Sequence, residues 1–101
     1  MTTEKKTTIG KVLKLFRLTV EEDFTCAKLA ERTGFSPTYI SEIENDKKQP
    51  SFNSLKKFAE FFNVPSYKIF KIVEDANESS WTHERTFLEV VKTYLEHNNE
   101  N

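Results

Sequence analysis

Residues 26–45, CAKLAERTGFSPTYISEIEN, decide the fold. The stretch reads as two short helices joined by a tight turn. In the first, Leu29 and Ala30 supply an apolar edge, and Ala30 is small enough to let another helix cross closely. Gly34 stands where the chain must turn sharply, since glycine reaches positive φ without a Cβ penalty. Ser36-Pro37 is a helix start, a hydroxyl cap followed by a residue whose missing N–H costs nothing at the first helical position. Ile40 and Ile43 give the second helix an inner face at i, i+3, leaving Thr38, Tyr39, Ser41, Glu42 and Asn45 to point elsewhere. A small residue, a glycine turn and buried aliphatics in this register are what a helix-turn-helix requires. An ordinary αα-hairpin of an all-α domain is the plainer alternative.

Working outward, the segment before this pair reads as a helix from Ile9 to about Leu18. Ile9, Leu13 and Phe16 line one face, Val20 extends that line, and Val12 and Leu15 sit beside it. Apolar residues over more than one stripe imply more than one neighbour. Glu21, Glu22 and Asp23 form an acidic corner, and Thr25 is a candidate cap for the helix that begins at Cys26. After the pair comes Asp46-Lys47-Lys48-Gln49-Pro50, a polar and basic loop. Ser51 then caps a helix carrying Leu55, Phe58, Ala59 and Phe62 at i, i+3, i+4, i+7, with Lys56 and Lys57 opposite. Asn63-Val64-Pro65-Ser66 breaks it, and Tyr67 to Ile72 forms a short fifth helix with Ile69 and Phe70 inward. Asp75 to Ser80 reads as a polar linker.

At 101 residues the chain is one domain with a short appendage. Neither a signal peptide nor a membrane-spanning apolar run is visible, and a single Cys excludes an internal disulfide and fits a reducing, cytoplasmic setting. Charge is divided along the chain. Residues 1–71 carry 13 Lys and Arg against 9 Asp and Glu, net +4, and residues 72–101 carry 2 against 7, net −5. A basic front and an acidic tail suit phosphate contact by the front alone. His83 and His97 have no Cys nearby, so no metal site is expected. No nucleophile–base constellation, P-loop or HExxH appears, so neither an enzyme nor a cofactor is expected.

These motifs together resemble the Cro/CI-type (XRE) helix-turn-helix family of DNA-binding regulators. The resemblance covers residues 9–72 and rests on the IG…R of the first helix, the LA…G..S…IS.IE core, the PS that opens the fourth helix, and LKKFAEFFNV. It implies an all-α, five-helix, lambda-repressor-like DNA-binding domain. A homodimer would bind an inverted repeat of double-stranded DNA with the third helix in the major groove, regulating transcription and most simply repressing it. By resemblance, Pro37, Thr38, Ser41 and Glu42 face base edges, and Thr and Glu have suitable chemistry for thymine methyls and cytosine N4. Phosphate contacts fall to Lys47, Lys48 and Gln49, with Asn45, Tyr39 and Cys26 next. Arg17 and Glu44 are implied to form a structural ion pair. Two departures stand out. Cys26 occupies the position where the family commonly has Gln, and Asp46 the position where it favours Gly; a carboxylate there opposes phosphate binding.

The chain beyond residue 80 carries a second amphipathic stripe. Phe87, Leu88, Val91, Tyr94 and Leu95 fit i, i+1, i+4, i+7, i+8, and Trp81 opens the segment. Such a stripe must be covered. These six residues are therefore expected to form a C-terminal dimerisation helix, with folding back on Val12 and Leu15, or docking on an antirepressor or toxin, as alternatives. In the second of these the protein would be an antitoxin or other protein-binding regulator. The expected organisation is a disordered arm at 1–8, the DNA-binding domain at 9–73, a linker at 74–80, the dimerisation helix at 81–98 and a disordered tail at 99–101.

Overall fold

The computed structural model of the chain describes residues 7–78 and Lys92. Five helices follow one another: α1 (Ile9–Leu18), α2 (Cys26–Thr33), α3 (Pro37–Glu44), α4 (Phe52–Phe62) and α5 (Ser66–Glu78). No strand occurs among the described residues. The fold is all-α and lambda-repressor-like.

Each of the first four helices begins on a hydroxyl. Thr8, Thr25, Ser36 and Ser51 lie in extended backbone and accept from the N–H groups of Lys11, Lys28, Tyr39 and Ser54 respectively. A cap of this kind contributes about 1 kcal/mol. Two helices end in left-handed residues, α2 at Gly34 (φ 87°) and α4 at Asn63 (φ 62°). The caps thus mark where the first four helices start and where α2 and α4 end.

Leu13, Phe16, Val12, Leu29, Ile40, Ile43, Phe58, Ile69 and Ile72 are fully buried and form the centre of the core. α1 packs on α3 and α5, α2 on α3 and α4, and α4 on α5. Aromatic rings run through this interior: Phe16 meets Phe62 edge-on at 5.2 Å, Phe62 meets Phe61 at 5.1 Å, and Phe61 stacks on Phe24 at 5.9 Å. Val12 and Leu15 are buried within this domain.

Four expectations change. Val20 is exposed, because α1 ends at Leu18 and the Thr19 N–H and hydroxyl both donate to the Phe16 carbonyl, so the chain leaves the helical line before Val20. Phe70 is also exposed. The inner line of α5 is Ile69, Ile72 and Ala76, a spacing of i, i+3, i+7 that turns Phe70 outward. α5 is twice the expected length and continues through residues 74–78 of the expected linker. Ala76 extends its apolar line, and Lys71 pairs with Asp75 one turn on at 3.5 Å. Finally, the ordered domain starts before Ile9, since Thr7 and Thr8 are both hydrogen-bonded to it. Trp81, Phe87, Leu88, Val91, Tyr94 and Leu95 lie outside the described residues.

Candidate nucleic-acid interface

α3 is fixed from within. Ile40 and Ile43 are buried on one side, and the carboxylate of Glu44, at the last helical position, receives the guanidinium of Arg17 from α1. Arg17 Nε donates to Glu44 Oε2 at 2.8 Å and a terminal nitrogen donates to Oε1 at 2.9 Å, while the other terminal nitrogen donates to the Phe24 carbonyl at 2.7 Å. One side chain thus ties α1, the α1–α2 connection and α3 together. Its hydrogen bonds to Glu44 raise the Arg17 pKa against the opposing effect of burial. Gly10 allows α1 to cross this end of α3, because a Cβ at that position would collide with the Ile43 carbonyl oxygen and crowd Asp46 Oδ1.

The outer face of α3 is polar and open. Pro37 occupies the first turn after the Ser36 cap, and Pro37, Thr38 and Ser41 are exposed. Glu42 is half-buried, and its Oε1 lies 3.3 Å from Lys48 Nζ. Asn45 caps the helix C-terminus, its side-chain amide donating to the Ser41 carbonyl at 2.8 Å and to Ser41 Oγ at 3.3 Å. Asp46 then takes a left-handed conformation (φ 63°), and the N–H groups of Lys47 and Lys48 both close on the Glu42 carbonyl, at 2.8 and 3.3 Å. Lys47, Lys48 and Gln49 are exposed on this loop. The structure thus brings Thr38, Ser41, Glu42, Asn45 and Lys48 together along one helix face and the turn that follows it.

Two of the expected phosphate-contacting residues face inward. The Tyr39 hydroxyl donates to Ser54 Oγ at 2.9 Å and the ring packs on Phe35 at 5.2 Å, so this side chain braces α3 against α4. Lys48 Nζ lies 5.9 Å from the Tyr39 ring centroid. The Cys26 thiol sits 3.8 Å from Glu44 Oε1, beside the ion pair, and leaves only the start of α2 to face outward. Burial foremost, and then the neighbouring Glu44 carboxylate, raises its pKa. Lys57 stacks over Phe35 and Lys56 over Phe52, an aromatic ring that is 69% exposed. Ser54 and Thr8 are structural partners that the sequence reading passed over. Thr8 stands directly before Ile9, the position of a helix cap, and that was the available signal.

A helix-turn-helix family model matches residues 13–69, more than half of the chain and the whole of this arrangement from the middle of α1 to α5. The chain belongs to the Cro/CI-type (XRE) helix-turn-helix family. No curated protein and no solved structure matches it. Membership makes the protein a DNA-binding transcriptional regulator. No helix among the described residues is long and apolar enough to cross a membrane.

Proposed function

We propose that this regulator is a sequence-specific transcriptional repressor that binds an inverted repeat as a homodimer. In this reading Pro37, Thr38, Ser41 and Glu42 meet base edges, and Lys47, Lys48, Gln49 and Asn45 meet phosphates. The observation that carries it is the contrast between the two sides of α3: exposed Thr38 and Ser41 on a helix whose Ile40 and Ile43 are buried and whose Glu44 is locked by Arg17. Polar side chains on a rigid, open helix supply direct readout with little ordering cost. The basic loop that follows supplies sequence-independent attraction. Two-fold pairing is supported by affinity: one eight-residue reading helix offers few base contacts, and a second copy about 34 Å away doubles them. The stripe Trp81, Phe87, Leu88, Val91, Tyr94 and Leu95 is the proposed means of pairing.

Selection from a random duplex library tests the reading. The expected product is a two-fold symmetric site, with Glu42→Gln altering the preferred base at one position in each half and Lys47→Ala weakening all sequences alike. Enrichment of no sequence would refute specific readout. A chain mass that stays monomeric, free and on DNA, would refute the homodimer. It would also redirect the apolar stripe to packing within the same chain or to docking on an antirepressor or a toxin.

A further inference from the structure

The two ends of the domain clasp each other next to the DNA-facing loop. The Thr7 N–H donates to Asn77 Oδ1 at 2.7 Å, and the Asn77 side-chain amide donates back to the Thr7 carbonyl at 3.1 Å. The neighbouring Thr8 oxygen accepts the Lys11 N–H at 3.2 Å, and its hydroxyl donates to Asp46 Oδ1 at 2.7 Å. Asp46 is the left-handed residue between the α3 cap and Lys47. A non-glycine residue in this region of φ persists only where its surroundings hold it. Here the Thr8 hydroxyl is such a contact, and Thr8 is itself aligned by the Thr7–Asn77 pair. The route Asn77–Thr7–Thr8–Asp46 thus runs from the last turn of α5 to the start of the loop carrying Lys47, Lys48 and Gln49, without entering the hydrophobic core.

We propose that Asn77 is a positioning residue of the nucleic-acid interface, acting through Thr7 and Thr8 to hold Asp46 and the loop behind it in their DNA-facing conformation. This rests on the reading of that loop as a phosphate contact. Its consequence is regulatory: Asn77 lies one residue before the end of α5, so the order of the DNA-side loop is linked to the last turn of the helix from which the chain continues into residues 79–101.

Amide hydrogen exchange on the full chain tests the link without DNA. In Asn77→Ala and Thr8→Val the amides of Lys47 and Lys48 should exchange at least about three-fold faster, while Thr8→Ser, which keeps the hydroxyl, restores the wild-type rate. Amides within α2 and α4 should stay unchanged. Unchanged rates at Lys47 and Lys48 would overturn the proposal. So would a uniform rise through α2 and α4, which marks general destabilisation. Binding to a random-sequence 20-bp duplex gives the second measurement. Asn77→Ala should weaken affinity and flatten its salt dependence in the parent protein, yet add nothing to Asp46→Gly, which has already lost the acceptor. Effects that multiply in the double variant would show that Asn77 does not act through Asp46. A wild-type chain that binds no duplex would refute the phosphate-contact reading, and the exchange rates would still decide the coupling.

Discussion

Arg17 and Glu44 place opposite charges where their side chains are only 11% and 5% exposed. A buried pair of this kind costs desolvation energy that its own attraction only partly offsets, but loss of one member strands the other. Glu44→Ala should therefore lower stability by about 3–5 kcal/mol, and the double variant Arg17→Met/Glu44→Leu by less than either single change. Urea denaturation midpoints decide the matter. Cys26, beside this pair, gives a pH signature. Its folded pKa is raised by burial and by Glu44, so the folded thiol keeps its proton at pH values where the unfolded thiol has lost it. Its contribution to stability is thus fully present below the ordinary thiol range, about pH 8.5, and is lost as pH rises through the folded value. The stability difference between wild type and Cys26→Ala should be flat from pH 6 to 8 and decline in alkaline solution. The same shift predicts slow reaction of Cys26 with a disulfide reagent at neutral pH, measurable against a free thiol.

At the scale of the helices, two glycines serve by different means. Gly34 has open space around its missing Cβ but a φ of 87°, so Gly34→Ala should cost about 1 kcal/mol from backbone strain alone. Gly10 has an ordinary helical backbone, yet a Cβ there meets the Ile43 carbonyl. Gly10→Ala must push α1 and α3 apart, with a loss of about 1–3 kcal/mol or more and weakened DNA binding, because the displaced element is the proposed reading helix. Thermal denaturation and duplex binding together separate the two cases: Gly34→Ala should leave intrinsic affinity nearly unchanged. Much of this level was legible from the sequence. Apolar periodicity marks α1, and the hydroxyls of Thr25, Ser36 and Ser51, the Gly34 turn and the Ile40–Ile43 spacing mark α2 to α4, all of them local signals. DANE at residues 75–78 has turn-like composition, so composition alone ends α5 too early. What extends it is the burial of Ala76 on its apolar line, a tertiary effect, together with the local Lys71–Asp75 pair. The interface followed the same division. Exposed Thr38 and Ser41 could be read from periodicity, but the inward turn of Tyr39 and Cys26 depends on Ser54 and Glu44, partners 15 and 18 residues away.

For the whole molecule, the true end of α5 sets how its parts can be separated. A chain cut after residue 74 loses buried Ala76 and the Asn77 clasp, so it should unfold at a lower temperature than the intact domain. A cut after Glu78 keeps both. Residues 1–78 should therefore retain the melting behaviour of the domain, and any change in mass by sedimentation then reports the removed segment alone. A dimer that becomes a monomer on this cut would assign pairing to residues 79–101.

The closure of α1 on α5, with Thr7 bonded to Asn77 seventy residues later, also has a consequence during synthesis. α1 leaves the ribosome first, with Val12, Leu13, Leu15 and Phe16 on its surface, and its final partner is made last. Translation at about 5–20 residues per second places roughly 3–12 s between them. Throughout that interval the part of α1 that packs on α5 stays uncovered, the form of intermediate that invites chaperone capture, and the Thr7–Asn77 clasp can close only after residue 77 has emerged.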